Sequence, residues 1–116
     1  MEYRDFGRSG LRVSETGFGG WTIGGERYGP VDKAEALRAL AVAGEQGCNF
    51  IDTAAVYGQS EQIIGEFLRG QRDKWILASK YSGTGQSLTT TLEQQLHRLG
   101  TDVIDVYQIH WVPRCS

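Results

Sequence analysis

The sequence predicts an α/β fold built on a parallel β-sheet, and three observations lead to this prediction. Short apolar segments, typical of buried strands, alternate along the chain with longer segments of helical periodicity. Three helical segments lie between successive strands, which is the order of a parallel sheet with helical crossovers. Glycine is abundant, at 16 of 116 residues, so tight turns are expected at functional loops.

The N-terminus predicts a small β-hairpin that precedes the sheet. The stretch YRDFGRSGLRVS contains two short alternating segments around a turn with Gly7 and Gly10. We therefore expect a hairpin within residues 1–14. The next stretch, TGFGG, is a candidate for a short strand interrupted by glycine.

Capping residues and apolar periodicity predict the first two helices. The first is the stretch VDKAEALRALAVAGEQG, with Asp32 as its N-cap, Glu35 completing a capping box, and Gly47 at its end. The second is SEQIIGEFLRG, which begins with Ser60 as its N-cap and stops at Gly70.

The rest of the chain predicts a third helix and three more strands. The helix is SLTTTLEQQLHRLG, which Gly100 ends, and the strands are NFID, KWILASK and DVIDVYQIH. Two architectures fit four strands and three helices in this order: an open doubly wound sheet and the N-terminal half of a (β/α)8 barrel. A complete barrel needs about 250 residues, so in the second case residues 1–116 form a single truncated domain with the barrel incomplete. One face of the third helix is predicted to carry Leu88, Leu92, Leu96 and Leu99.

Three successive predicted strands end in an ionisable residue: Asp52, Lys80 and His110. In both architectures ligands bind at the carboxyl ends of the strands, and alternation allows these three side chains to share one face. Tyr57 follows Asp52 in a loop at the same end. Each residue alone has an ordinary explanation as a solvated, packed or capping residue. Their coincidence at one end of the sheet indicates a site.

These four residues suit proton transfer to a carbonyl group. A free tyrosine has a pKa of about 10, and a neighbouring ammonium group stabilises its phenolate form. Lys80 can supply the ammonium, Asp52 can hold it, and His110 can hydrogen-bond a carbonyl oxygen. This arrangement is a general acid beside a polarised carbonyl. The hydride for a reduction must then come from a reduced cofactor.

The stretch GCNFIDTAAVYGQSEQIIG resembles the first signature of the aldo-keto reductase family, through Gly47, Asp52, Tyr57, Glu61 and Gly65. The opening MEYRDFGRSGLRVSETGFGGWTIGG is similar to the stress-protein and potassium-channel β-subunit branch of that family, which includes a hairpin that plugs the barrel. The stretches WILASKY and DVIDVYQIH resemble its third and fourth strands. The resemblance extends over residues 1–111, and it implies a (β/α)8 barrel that reduces aldehydes and ketones to alcohols with NADPH.

The resemblance also implies roles for individual residues. Tyr57 is the proton donor, Asp52 and Lys80 tune it, and His110 orients the carbonyl. Gly20 and Trp21, together with Asp52, lie near the nicotinamide ribose, although Trp21 is equally well explained as a packing aromatic. These expectations define a small-molecule carbonyl substrate as the partner.

The C-terminal end departs from the family pattern, in which the histidine is followed by proline and an acidic residue. Here the ending is HWVPRCS, which suggests a frameshift, a premature stop or a truncated gene model. Most contacts of the family to NADPH lie on later strands and loops, so the chain alone is expected to be inactive. The alternative function is a non-catalytic fragment or a partner-binding subunit of the same fold. Open barrel edges also predict self-association.

Composition and spacing exclude several other classes. The net charge of −2 leaves no basic surface for nucleic acid, and no run of 18 apolar residues predicts a membrane span. Cys48, Cys115 and the two histidines, His97 and His110, have no metal-ligand spacing, and the cytoplasm is the expected compartment. The stretch GFGGWT has Thr22 where a dinucleotide fingerprint needs glycine. No lysine follows a tyrosine by four residues, so a short-chain dehydrogenase is disfavoured.

Overall fold

The computed structural model describes residues 1–20, 32–55, 57, 59–81, 83 and 86–109. Trp21 and His110, two of the predicted site residues, therefore lie outside the described residues, as does Cys115. The elements in chain order are β1 (Tyr3–Asp5), β2 (Arg12–Ser14), β3 (Phe18–Gly19), α1 (Lys33–Glu45), β4 (Phe50–Asp52), α2 (Ser60–Leu68), β5 (Ile76–Tyr81), α3 (Leu88–Leu99) and β6 (Val106–Ile109).

The strand order distinguishes between the two architectures that the sequence left open. Strands β3, β4, β5 and β6 are all parallel and adjacent in chain order, without a reversal. Each of α1, α2 and α3 contributes buried apolar residues to one cluster with Ile51 and Leu77, which lie on the same face of the sheet. Sequential strands with helices on a single face form part of a (β/α)8 barrel, whereas a doubly wound sheet has helices on both faces.

The core lies between this face and the helices. Ile51 and Leu77 at its centre are fully buried, and each such side chain contributes about 1.5–3 kcal/mol by leaving water. The rings of Phe67 and Trp75 pack edge to face at 5.4 Å between centroids. The other buried apolar residues of the cluster are Ala36, Leu40, Cys48, Ile63, Ile64, Leu68 and Leu99.

The first helix begins as predicted, and the second does not. The Asp32 carboxylate accepts hydrogen bonds from the N–H groups of Ala34 and Glu35, so Asp32 is the N-cap of α1. The prediction of Ser60 as the N-cap of α2 is wrong, because Gln59 takes that position without a side-chain bond. The Ser60 hydroxyl is instead buried and hydrogen-bonded to the Thr53 hydroxyl.

The third helix ends at Gly100, whose φ of +64° is the left-handed conformation that favours glycine. Its predicted apolar face is only partly correct. Leu99 is buried, but 44% of Leu88 is exposed, and the fully buried residue one turn before Leu99 is Gln95. The reason is that α3 packs over a group of polar side chains on the sheet, which is described below.

The predicted hairpin forms and docks at the amino ends of the strands. The Tyr3 hydroxyl donates to the carbonyl oxygen of Gly47 at 2.6 Å. The Asn49 side chain accepts from the N–H of Ser14 at 2.6 Å and donates to the carbonyl oxygen of Arg12 at 3.0 Å. The hairpin therefore covers one end of the sheet and leaves the carboxyl ends open. No helix among the described residues is both long enough and apolar enough to span a membrane.

Candidate active site at the carboxyl ends of the strands

An ion pair joins the ends of two neighbouring strands. The Lys80 Nζ lies 2.7 Å from Asp52 Oδ1 and also donates to the carbonyl oxygen of Thr53 at 2.9 Å. Asp52 pairs in register with Ala78, so Lys80 lies two residues further along the adjacent strand on the same face. The Lys80 side chain is 13% exposed and that of Asp52 is 42% exposed. The Lys80 ammonium is thus mostly buried, whereas the Asp52 carboxylate is accessible to solvent.

Tyr57 lies next to this ammonium. The Lys80 Nζ is 5.3 Å from the centroid of the Tyr57 ring, within the range of a cation–π contact. The turn between β4 and α2 holds the tyrosine, since its N–H donates to Ala54 and its carbonyl accepts from Ser60. The structure therefore brings together Asp52, Tyr57 and Lys80, three of the four residues that are predicted to act on the carbonyl group. His110 lies outside the described residues, two positions after Gln108, which pairs in register with Lys80.

Gly20 lies where the first strand of the parallel sheet meets the loop that follows Asp52. Its N–H donates to the Asp52 carbonyl oxygen at 2.7 Å. A Cβ atom at Gly20 would lie 2.8 Å from Thr53 Oγ1 and would also overlap Ser60 Oγ. These two hydroxyl groups are buried and hydrogen-bonded to each other at 2.7 Å. Close packing therefore requires glycine at this position, a role that the sequence did not reveal.

Behind Lys80, on the helix-facing side of the sheet, five polar side chains form a hydrogen-bonded group that we call the Glu61 cluster. Its centre is the Glu61 carboxylate, which is only 2% exposed. Sequence reasoning noted Glu61 in the family signature and missed the other members. The available signal was a glutamine in the apolar row of α3. The cluster consists of Glu61, Ser79, Gln95, Arg98 and Tyr107.

Each oxygen of the Glu61 carboxylate accepts two hydrogen bonds. Oε1 accepts from Nε and Nη2 of Arg98 at 2.9 and 2.8 Å. Oε2 accepts from the Ser79 hydroxyl at 3.0 Å and from Gln95 Nε2 at 2.7 Å. A buried carboxylate is costly unless it is paired and hydrogen-bonded, and here both conditions are met.

Gly65 allows this cluster to form. A Cβ atom at Gly65 would lie 2.7 Å from the carbonyl oxygen of Arg98 and 2.8 Å from that of Leu99. Gly65 lies one helical turn after Glu61, so the missing side chain lets α3 approach α2 closely enough for Arg98 to reach the carboxylate. The glycine of the signature is thus explained by helix packing.

Among the cavities that the described residues form, two differ in their position relative to the site. A cavity of about 360 Å³ lies between the hairpin and strands β3 and β4, and Asp52, Phe50 and Phe6 contribute to its lining. A larger and more open groove of about 550 Å³ lies beside Arg72, His97 and Asp102. It is at the amino ends of the strands, and Asp52, Tyr57 and Lys80 are not among its described lining residues, whereas Asp52 lines the first cavity. Within the described ranges, no three His, Cys, Asp or Glu side chains are grouped as metal ligands.

Two curated proteins are similar in sequence to nearly the whole chain. The chain is 36% identical over 126 residues to the aldo-keto reductase YhdN of Bacillus subtilis, and the match covers 96% of this chain and 38% of that protein. It is 33% identical over 125 residues to a rice protein (Oryza sativa subsp. japonica) named "Probable voltage-gated potassium channel subunit beta", with 95% and 37% covered. The chain thus spans well under half the length of these relatives.

A solved structure supports the same assignment. The aldo/keto reductase from Klebsiella pneumoniae, determined in complex with NADP and acetate, superimposes with a TM-score of 0.77 at 30% identity. The match covers 89% of this chain and 37% of that one. Residues 15–115 match the model of the aldo/keto reductase family. The chain belongs to the aldo/keto reductase family.

Proposed function

We propose that this chain carries the acid–base part of an NADPH-dependent reductase that converts aldehydes and ketones to alcohols. The observation that supports the proposal most directly is the Lys80–Asp52 pair at 2.7 Å, with the ammonium 5.3 Å from the Tyr57 ring. Acid–base catalysis on a carbonyl needs a proton donor whose conjugate base is stabilised. The Lys80 ammonium can provide that stabilisation to Tyr57.

Each residue has one task in the proposed reaction. Asp52 and the Thr53 carbonyl hold the ammonium of Lys80 in place. Tyr57 donates its phenolic proton to the carbonyl oxygen of the substrate, and the Lys80 ammonium stabilises the phenolate that remains. His110, by resemblance, orients the carbonyl oxygen. When bound, NADPH supplies the hydride that the carbonyl carbon accepts.

The described residues fit one part of such a cofactor. Asp52 keeps 42% of its side chain exposed after pairing with Lys80, and a carboxylate accepts hydrogen bonds from ribose hydroxyl groups. By resemblance, Gly20 and Trp21 are proposed to lie with Asp52 beside the nicotinamide ribose. By resemblance, the remaining contacts to the dinucleotide come from later strands of the barrel. Fluorescence titration of the 116-residue chain with NADPH is expected to show little saturable binding, and tight binding would contradict this division of the site.

The substitution that we expect to lower turnover most is the one that removes the proton donor. We join the chain to the C-terminal part of YhdN and measure NADPH oxidation with 4-nitrobenzaldehyde. Tyr57→Phe should lower turnover by about 100-fold or more, because it removes the general acid. The matched control is Tyr81→Phe, since the Tyr81 hydroxyl donates to the Gln86 carbonyl oxygen on the protein itself. Equal turnover in the Tyr57→Phe variant and the parent chimera would remove Tyr57 from the acid role.

We also propose that the isolated chain self-associates or is poorly soluble. Among the described strands, β3 and β6 each have a neighbour on one side only, and unpaired edges are templates for association. Sedimentation at several protein concentrations measures this, and a folded monomer at all concentrations would contradict it. A cytoplasmic location stays a prediction.

A further inference from the structure

Lys80 is bound on both faces of its strand. Its ammonium reaches Asp52 on the open face, while its backbone carbonyl oxygen accepts from Gln95 Nε2 at 3.1 Å. Gln95 is fully buried and belongs to α3, which packs on the helix-facing side. A residue that contacts no part of the open site therefore holds the backbone of a residue that does.

The orientation of the Gln95 amide is determined by its neighbours. Nε2 faces the Lys80 carbonyl and the Glu61 carboxylate, which only accept hydrogen bonds, so the nitrogen must point toward them. Ser79 Oγ, 2.9 Å from Nε2, is a third acceptor that shares the two amide N–H groups, and its own hydroxyl donates to Glu61 Oε2. The amide cannot turn over without losing these bonds.

The oxygen of the amide is held by the last strand. The Tyr107 hydroxyl donates to Gln95 Oε1 at 2.6 Å. Burial, followed by the charges of Glu61 and Tyr81, raises the pKa of the Tyr107 hydroxyl above its ordinary value of 10.0. The hydroxyl is therefore protonated and able to donate at neutral pH. Gln95 thus connects β6, which leads toward position 110, to β5.

The Glu61 carboxylate links the cluster to α2. Glu61 lies in the first turn of α2, four residues after Tyr57, and both Arg98 contacts hold its Oε1. Through this carboxylate the segment that carries Tyr57 is joined to the strand that carries Lys80.

We propose that Gln95 is a positioning residue for Lys80, holding its backbone against the Glu61 cluster so that the ammonium meets Asp52 beside Tyr57. This inference rests on the reductase function proposed above for its catalytic meaning, but its geometry can be tested without cofactor or substrate. A purely structural glutamine would affect stability alone. A positioning residue changes the surroundings of the Lys80 ammonium.

The test uses the three lysines of the chain, Lys33, Lys74 and Lys80, in protein dilute enough that sedimentation detects no association. Incorporation of lysine labelled with ¹³C at Cε gives one NMR signal for each, and Lys80→Arg identifies the signal of Lys80. In Gln95→Met, which keeps the length of the side chain and removes its hydrogen bonds, the Lys80 signal should move toward those of the exposed lysines. The signals of Lys33 and Lys74 should stay in place.

The matched control is Leu99→Val, one turn away on α3, which loosens the same packing without touching the cluster. Its Lys80 signal should not move. The proposal is overturned if the Lys80 signal is unchanged in Gln95→Met, or if it moves equally in both variants. A failed reductase assay would leave these NMR outcomes intact, so the two proposals can fail separately.

A second readout applies to the YhdN chimera, where the complete barrel supports folding of a weakened variant. Gln95→Met should lower kcat by up to about 100-fold, the cost of displacing a reacting group by about 1 Å, with KM for NADPH unchanged. Leu99→Val should keep kcat within about twofold of the parent. A rise in KM for NADPH at constant kcat would contradict a positioning role for Lys80.

Discussion

The two faces of the parallel sheet bury opposite charges: a carboxylate on the helix-facing side and an ammonium on the open side. On the helix-facing side, the carboxylate of the Glu61–Arg98 pair is enclosed at 2% exposure, whereas its arginine side chain is 29% exposed. On the open side, the Lys80–Asp52 pair has its lysine enclosed and its carboxylate 42% exposed. Ser79 and Lys80 are consecutive residues of one strand, so alternation alone assigns them to the two environments. The enclosed carboxylate has all its acceptor positions occupied by protein groups, whereas the open one is accessible to a ligand.

The largest expected difference between the faces is in stability. Glu61→Ala removes the partner of Arg98 and leaves Ser79 and Gln95 without their acceptor, which should cost about 3–5 kcal/mol of unfolding free energy. Asp52→Asn on the open face should cost less than about 3 kcal/mol, because the asparagine oxygen can still accept from the Lys80 ammonium. Urea unfolding of both variants measures this. Equal losses would contradict the distinction between an enclosed and an open carboxylate.

A smaller effect is expected from the helix contact that supports the enclosed face. Gly65→Ala places a methyl group against the backbone carbonyls of Arg98 and Leu99, and backbone atoms cannot rotate away. We expect a loss of about 1–3 kcal/mol from overpacking. Gly19→Ala is the matched control, since a Cβ atom there meets no atom of the described residues within 4 Å. Thermal unfolding compares the two, and an unchanged midpoint for Gly65→Ala would mean that the helices move apart at no cost.

The smallest expected effect is a pH dependence at the rim of the Glu61 cluster. The pKa of Tyr107 is raised in the folded protein, so the unfolded chain loses this proton first as the pH rises. The contribution of Tyr107 to stability is therefore complete below about pH 10 and is lost as the pH rises through the folded pKa. The difference in unfolding free energy between the parent and Tyr107→Phe should shrink above about pH 10. A difference that grows with pH would refute the assignment.

Sequence reasoning reached the open face more fully than the enclosed one, for a physical reason. Asp52 and Lys80 each end a strand, and the regular alternation of parallel strands was enough to predict that they share a face. Gln95 and Arg98 do not end a strand, so alternation predicts no partner for them. Their contacts with Glu61 depend on how α2 and α3 pack, which local patterns do not encode.

The wrong N-cap prediction also comes from a contact that local patterns do not show. Ser60 has the residue type of an N-cap, but the Thr53 hydroxyl provides a buried partner that competes with capping. The sequence likewise did not reveal that Gly20 packs tightly against the same two hydroxyl groups, and its contact with a cofactor stays a prediction. Trp21 and His110 remain predictions, since they lie outside the described residues.

The docking of the hairpin has a practical consequence for handling the protein. The hydrogen bonds that join the hairpin to the sheet go to Gly47 and Asn49, at the end opposite to the Lys80–Asp52 pair. Met1 also lies beside Gly47. An affinity tag or a surface attachment at the N-terminus would therefore face away from the carboxyl ends of the strands. Protein immobilised through Met1 would present its open end to the solution.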